Sequence, residues 1–259
     1  MFIFWGRKIT RKSLGYVADF CAICRKVTAF QLSRVGSAGH IYYLSVGEGV
    51  LVGHERSCCE CGSVQSANTD TYTRPVPKPG PIDALIRETY PGLERDLAER
   101  LQLEQQIRFS PHMLEPGVRA ALIKEPLVIL APKVEQRFAS TRMDMGVGLA
   151  LLVSVFLFVF SAYLSSKIDP DAAALFMPLA LLVGVGLVIW QFLASRRRYM
   201  RKEIIPLLAR SLAPLKPREQ EIQQALQAMK QLGYKIGKFL QAAEVTERAQ
   251  AALYPMPTV

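Results

Sequence analysis

The sequence lacks the short motifs that mark the commonest enzyme classes. It has no G-x4-G-K-[S/T] phosphate loop and no G-x-S-x-G nucleophile motif, and GEGVLVG at 47–53 misses the dinucleotide pattern G-x-G-x-x-G by one position. Histidine is scarce, with three residues, and the carboxylates do not cluster. Because these residues offer neither an acid–base pair nor a nucleophile with a nearby base, we expect a protein that is not an enzyme.

Charge is absent from two long stretches, residues 145–166 and 172–195, which contain 22 and 24 residues. At about 1.5 Å per residue, each forms a helix longer than the roughly 30 Å hydrocarbon core of a bilayer. Both stretches are apolar around the whole helix circumference, which few buried helices of soluble proteins are. The pattern predicts a two-helix transmembrane hairpin. Small residues spaced by four (Gly146, Ala150 and Ser154; Ala180 and Gly184) predict a close contact, either within the hairpin or between two copies.

Basic residues predict the orientation of this hairpin. The connection at 167–171 carries one lysine, whereas the outer flanks are rich in cations. The positive-inside rule then places both termini in the cytoplasm, for an integral protein of a plasma membrane or bacterial inner membrane. The flanking basic residues are Arg137, Arg142, Arg196, Arg197, Arg198, Arg201 and Lys202.

Cysteine is also scarce, with five residues, yet four of them form two C-x2-C pairs. Cys21 and Cys24 are separated by 33 residues from Cys58 and Cys61. Four thiolates at such spacings suit tetrahedral Zn²⁺. Residues 16–64 thereby resemble the zinc-ribbon class with rubredoxin-like knuckles, which implies a small all-β fold around a structural zinc ion. Gly62 after the second pair fits this class, whereas Arg25 stands where glycine is usual.

The residues between the pairs predict a small antiparallel sheet. VTAFQLSRV at 27–35 and HIYYLSV at 40–46 alternate, with turns expected at GSAG (36–39) and GEG (47–49). Iron remains the alternative to zinc, because both metals accept four thiolates. Disulfides do not suit the reducing cytoplasm. We interpret His40 and His54 as strand or surface residues, and Cys59, which is out of register with either pair, as a bystander or a reactive thiol.

The sequence therefore predicts a multidomain membrane protein in which a small zinc ribbon precedes α-helical cytoplasmic regions that flank the hairpin. Basic charge concentrates at the ends, with net charges of +4 over residues 1–74 and +7 over residues 196–259. The predicted parts are a ribbon (1–71), a proline-rich linker (72–82), a helical region (83–142), the hairpin (143–195) and a basic amphipathic, C-terminal helical region (196–259).

These features favour a membrane-anchored adaptor or assembly factor. Its expected partners are the lipid bilayer and a cytoplasmic protein, and a homo-oligomer would add a second copy of the chain. Nucleic-acid binding by the basic ribbon is an alternative, although four thiolates around Zn²⁺ contribute a net charge of about −2. A thiol-based redox or metal sensor that uses Cys59 is another. A channel ranks last, because the apolar stretches offer few polar residues to line a pore.

Overall fold

The computed structural model describes residues 5–41, 44–45, 49–140, 145–165 and 170–253. Its N-terminal part is an antiparallel sheet with the order β1-β2-β4-β5, in which β3 also pairs with β2. The strands are β1 (Trp5–Cys21), β2 (Lys26–Ile41), β3 (Leu44–Ser45), β4 (Val50–Cys58) and β5 (Val64–Ser66). The predicted all-β character of this region is confirmed.

The structure differs from the predicted sheet in two details. The predicted strands lie between the two cysteine pairs, yet β1, which ends at Cys21, is the longest strand of the described residues. The turn expected at 36–39 is also absent, because β2 continues through these residues. The glycine at 36 follows an irregularity in the pairing of β2 with β4, between Val35 and Gly36. An isolated glycine in a strand commonly marks such a bulge.

Most of the chain after the sheet is helical, as the apolar periodicity predicts. Pro91 and Gly92 follow the first helix, and Pro116 begins the helix Pro116–Ala139 at a position where its missing N–H costs no hydrogen bond. The helices are α1 (Ile82–Thr89), α2 (Leu93–Asp96), α3 (Ala98–Phe109), α4 (Pro116–Ala139), α5 (Met145–Ser165), α6 (Pro170–Tyr199), α7 (Ile205–Leu212), α8 (Glu219–Gln231), α9 (Ile236–Phe239) and α10 (Ala242–Leu253).

The sheet and the helices share one hydrophobic core. Phe30 and Leu32 of β2 belong to the same buried cluster as Leu127 of α4 and Leu208 of α7. The proline-rich segment also lies against the sheet: Val76 and Tyr16 exchange two backbone hydrogen bonds of 2.7 and 2.9 Å. The predicted domain limits remain a prediction, but these parts pack together directly.

The two apolar stretches form the helices α5 and α6, which pack against each other. Met145–Leu164 and Phe176–Leu215 are long and apolar enough to cross a membrane, with mean hydropathies of 2.5 and 2.1. Only 17% and 6% of the respective apolar windows are buried, whereas core helices of soluble proteins are mostly buried. The connection at 166–169 and the basic residue Arg142 lie outside the described residues.

The small residues lie at the contact between α5 and α6. Ser154 Oγ donates a 3.0 Å hydrogen bond to the carbonyl oxygen of Gly184. A Cβ atom at Gly184 would lie 3.1 Å from that of Ser154, so a larger residue would separate the helices. Of the two predicted contacts, these residues therefore form the one within the hairpin.

The first part of the basic amphipathic region continues the helical backbone of α6. A π-helical turn at Met200–Ile204 joins α6 to α7 immediately before Pro206. The apolar face predicted for this segment is buried: Met200, Ile204 and Leu208 all lie in the core. That face is therefore covered by protein.

The C-terminal region packs on the rest of the protein, as the sequence favours, but not as one long helix. The chain breaks at Gly233, which has a φ of 86°, and continues as α9 and α10. A heptad spacing of apolar residues from about residue 217 predicts two buried stripes: Ile222, Met229, Ile236 and Ala243 in one, and Ala225, Leu232 and Phe239 in the other. Three residues of the first stripe are buried and Ala243 is exposed, whereas Leu232 and Phe239 of the second are 62% and 42% exposed.

Candidate metal centre

The sheet brings the two C-x2-C pairs together. Cys21 ends β1, and the turn that holds Cys24 leads into β2. Cys58 ends β4 and lies opposite Phe30 of β2. Because β2 pairs with both β1 and β4, the turns that follow these two strands lie at one end of the sheet.

Each pair forms a tight knuckle of the same geometry. The residue after the second cysteine donates its N–H to the carbonyl oxygen of the first: Arg25 to Cys21 at 2.6 Å, and Gly62 to Cys58 at 2.9 Å. Both donors have a positive φ, 53° for Arg25 and 65° for Gly62. Glycine adopts this conformation freely, whereas another residue pays a steric cost of about 1–2 kcal/mol.

The four predicted ligands converge on one point. Their sulfur atoms all lie within 4.8 Å of one another. The Sγ atoms of Cys21 and Cys61 are 3.6 Å apart, and those of Cys24 and Cys58 are 3.9 Å apart. Tetrahedral zinc with Zn–S bonds of about 2.3 Å requires sulfur atoms about 3.8 Å apart. The cluster therefore fits a metal ion in size and in donor type, and the thiols are not joined as disulfides.

The electrostatics of the cluster would favour a bound cation. Contacts from the Cys21 and Cys61 thiols lower the pKa of Cys58. Burial, followed by the negative charge of Cys58, raises the pKa of Cys24 to about 12. Contacts with Cys58 and Cys61, together with burial, also raise the pKa of Cys21. The first thiolate thus opposes ionisation of its neighbours, and a bound divalent metal would offset this repulsion and release the protons.

Polar neighbours surround the sulfur atoms. The Thr28 hydroxyl lies 3.3 Å from Cys58 Sγ, and the Ser63 hydroxyl lies 3.1 Å from Cys61 Sγ. The backbone N–H of Cys24 points at Cys21 Sγ over 3.4 Å. Such contacts orient thiolate ligands and stabilise their charge, in the manner of outer-shell groups at metal sites.

The remaining candidates stand apart from this cluster. Cys59 is exposed, and burial of part of its side chain raises the pKa of its thiol, so the thiol is not activated by its surroundings. His54 lies in β4 opposite Arg34 and is not among the clustered groups. The side chain of His40 lies outside the described residues.

Arg25 connects the first knuckle to the helices. Its side chain is buried, and its Nε donates a 3.0 Å hydrogen bond to Glu104 Oε2 of α3. Its Nη1 donates to the carbonyl oxygen of Ser211 in α7 at 3.2 Å, and the Ser211 hydroxyl donates to the Ala22 carbonyl oxygen at 3.1 Å. Arg25, which stands where the zinc-ribbon class usually has glycine, therefore connects the first knuckle to α3 and α7 through its side chain. Glu104 gave no sequence signal, because a carboxylate on a helix usually faces solvent.

A second buried charge supports the sheet close to the metal cluster. Asp19, two residues before Cys21, forms an ion pair with Arg56 of β4 and accepts a hydrogen bond from the Tyr72 hydroxyl. Arg56 also donates to Tyr72 Oη at 3.0 Å. Burial raises the pKa of Tyr72. Asp19, Arg56 and Tyr72 are far apart in the chain, so no local sequence pattern predicts this network.

The flanking basic residues that the structure describes do not all face solvent. The Arg196 guanidinium lies over the rings of Phe138 and Phe192, at 5.3 and 5.6 Å from their centroids. Arg137 lies over Tyr199, and Arg198 donates a 3.0 Å hydrogen bond to Gln191 Oε1. Arg201 forms a 2.8 Å ion pair with Glu244, whereas Arg197 and Lys202 are exposed. These side chains thus gather where α4, α6 and the π-helical turn meet.

Comparison with known proteins adds no relative to these observations. No protein-family model matches the chain, and searches of curated proteins and of solved structures gave no match. The four-cysteine cluster in a β-sheet region is consistent with a zinc-ribbon-like knuckle on its geometry alone.

Proposed function

We propose that this chain is an integral membrane protein whose four-cysteine centre holds a structural zinc ion, and whose ribbon binds a cytoplasmic protein as an adaptor or assembly factor. The observation that carries the proposal is the four-sulfur cluster in a sheet that shares its core with helices continuous with an exposed apolar hairpin. Metal binding and membrane anchoring would then belong to one folded body.

A structural role for the metal follows from its donor set. Four cysteine sulfurs complete a tetrahedral shell, whereas catalytic zinc keeps one position for water or substrate. Cys21, Cys58 and Cys61 are buried, which limits access to the ion. Thiolate donors favour zinc over hard cations, and iron remains the alternative that elemental analysis separates from zinc.

Anchoring is supported by the large apolar surface of the hairpin. Leu152 of α5 and Leu182 of α6 are each 70% exposed, and most of their neighbours are also apolar and exposed. Contiguous exposed apolar surface on this scale marks a membrane or protein contact. The arginines at the end of α6 favour an orientation with both termini in the cytoplasm.

The edge of β4 supports a protein partner. Val50 and Val52 are 77% and 66% exposed, and β5 pairs with only Glu55–Ser57 of this strand. An uncharged edge rich in β-branched residues is a template for strand addition. We therefore assign this edge, residues 50–53, to an extended segment of the partner protein.

Internal ion pairs favour a protein over a nucleic acid as the partner. Arg25 and Arg56 pair with buried carboxylates, and Arg11 and Lys26 pair with Glu55 and Glu60. Cations held in this way contribute less to phosphate contacts and to the release of counterions that drives nucleic-acid binding.

Cys59 offers a direct test of the orientation. In the metal-loaded protein it is the cysteine outside the cluster, and it is exposed. A maleimide that does not cross membranes should label Cys59 in inverted vesicles, where the cytoplasmic face is outward, and not in right-side-out vesicles. Labelling in right-side-out vesicles, with Cys59→Ser as the blank, would place the ribbon on the opposite side of the membrane.

The adaptor role is tested by matched variants of the full-length chain. Partner capture after gentle solubilisation should be lost with Cys21→Ser and with Val52→Asp, which puts a charge on the β4 edge. Val64→Asp is the control, because Val64 is an exposed apolar residue of β5 away from that edge. Capture that survives both Cys21→Ser and Val52→Asp would refute the assignment of the ribbon as the interaction module.

A further inference from the structure

We infer that metal occupancy of the four-cysteine centre is coupled to the position of α7, through Arg25, Glu104 and Ser211. This inference rests on the proposed binding of metal. It makes Arg25 a positioning residue for the first knuckle and makes the metal centre a control point for the helix that continues from the hairpin.

The first knuckle is docked into the helices. Ile23 at its tip is fully buried, and Ala22 is nearly so. The Ser211 hydroxyl of α7 donates to the Ala22 carbonyl oxygen, while Arg25 Nη1 donates to the Ser211 carbonyl oxygen. Two hydrogen bonds of opposite direction therefore join one residue of α7 to the knuckle.

Arg25 is held in a conformation that it would not adopt by itself. Its φ of 53° lies in the left-handed region, where a side chain other than glycine's is disfavoured. The buried ion pair with Glu104 accompanies this conformation. Glu104 also lies 3.1 Å from Arg100, which is bidentate to Glu125 of α4. The contact thus extends from the metal ligands into α3 and α4.

The metal ion would fix the knuckle from its other side. Cys21 and Cys24 flank Ala22 and Ile23, and their sulfur atoms reach those of Cys61 and Cys58. Without a metal ion, the loss of this cross-link between the two knuckles frees the turn at 22–25. The contacts of Arg25 with Glu104 and Ser211 then lose their rigid support.

The other end of this connection is the hairpin. Ser211 belongs to α7, which joins α6 through the π-helical turn at Met200–Ile204. A π-helical turn is a site where helices change register, and such turns are frequent at functional positions. A shift of α7 on metal loss would therefore be transmitted to the cytoplasmic end of α6.

Linkage makes the inference testable in both directions. If metal binding favours the docked α7 by a given factor, then docking of α7 must favour metal binding by the same factor, and a variant that disrupts docking weakens metal binding by up to that factor. Couplings of this kind typically correspond to factors of about 5 to 150. The expected change is therefore measurable both in metal affinity and in amide exchange.

The first arm measures hydrogen exchange of the full-length chain in detergent, with zinc bound and after chelation. We expect amides of 205–212 and 22–25 to exchange at least about fivefold faster after chelation. Amides of α8, which belongs to the same helical body but does not contact the knuckle through these hydrogen bonds, should change less. Equal acceleration of α7 and α8, or no change in α7, would overturn the inference.

The second arm leaves every cysteine in place. Glu104→Gln keeps the shape of the side chain but removes the charge that Arg25 contacts, and Ser211→Ala removes the hydroxyl donor. Both should weaken zinc affinity by about fivefold or more in competition with a chelator. Glu221→Gln is the matched control, because Glu221 pairs with Arg119 between α8 and α4, away from the knuckle. Equal affinities for all variants and the parent chain would contradict the coupling.

The two proposals fail differently. A chain that binds stoichiometric zinc through the four cysteines, but whose α7 does not respond, refutes the coupling and leaves the metal centre intact. A chain that binds no metal refutes both.

Discussion

The buried carboxylate of Asp19 gives a sharp test of how the sheet is held together. Asp19 is 4% exposed and lies in β1. One oxygen accepts a 2.6 Å hydrogen bond from the N–H of Phe20, and the other contacts Arg56 and the Tyr72 hydroxyl. The substitution Asp19→Ala leaves a partly buried guanidinium and a buried hydroxyl without their main acceptor.

The magnitude follows from the burial of the partners. The Arg56 side chain is 22% exposed, and its guanidinium also lies over the Phe30 ring. Breaking a buried ion pair by removing one partner costs about 3–5 kcal/mol. For a chain of this size, each kcal/mol shifts the midpoint of thermal unfolding by about 2–4 °C, so we expect a decrease of about 6–20 °C.

A matched exposed pair provides the control. Arg11 and Glu55 form a 2.8 Å ion pair on the same sheet, with side chains that are 48% and 28% exposed. Glu55→Ala should cost at most about 1 kcal/mol, because solvent screens the pair. The midpoints of thermal unfolding of the two variants are measured in the same detergent and at the same scan rate. Equal shifts, or a smaller shift for Asp19→Ala, would refute the reasoning from burial.

Three further predictions concern other parts of the chain. Gly184→Leu should lower the thermal stability of the detergent-solubilised protein, because a Cβ atom at this position would lie 3.1 Å from the Cβ of Ser154. Gly186→Leu is the control and should have little effect, because the space around Gly186 is open. Equal effects of the two substitutions would contradict the observed helix contact. Cys59→Ser should retain the full metal content, measured by elemental analysis, while Cys58→Ser loses it, because Cys59 lies outside the sulfur cluster; loss of metal in both would return Cys59 to the ligand set. Arg119 lowers the pKa of Glu221 below its usual 4.5, so the stability that Glu221 confers is present above about pH 4.5 and disappears as the pH falls through the lowered pKa. The difference in the midpoint of thermal unfolding between the parent chain and Glu221→Gln, measured from pH 3 to 7, should therefore become smaller at acid pH. A difference that becomes larger at acid pH would contradict the predicted pH dependence.

The parts of the fold that the sequence predicts are those set by local pattern. The apolar stretches and their flanks locate α5 and α6 to within a few residues, because an uncharged run of that length has few alternatives. The C-x2-C spacing predicts which four cysteines come together for the same reason, since each tight turn fixes two sulfurs. Proline before an apolar periodic segment identifies the start of α4.

The parts that the sequence does not predict depend on distant partners. The small residues GSAG suggest a turn at 36–39, but pairing of Gly36 and Ser37 with β1 and β4 on both sides keeps β2 extended there. Burial of Glu104 depends on Arg25, which precedes it by 79 residues. The proline-rich segment reads as a linker by composition, yet its backbone pairs with Tyr16 of β1. Tertiary contacts of this kind leave no periodic signal.

The most direct test of the central claim is the metal content of the full-length protein after purification from the membrane fraction. Elemental analysis should find one zinc ion per chain in the parent protein and in Cys59→Ser. Substitution of serine for any one of Cys21, Cys24, Cys58 or Cys61 should lower the metal content and keep the chain in the membrane fraction. A parent chain without stoichiometric metal, or metal retained after the cluster cysteines are replaced together, would contradict the account.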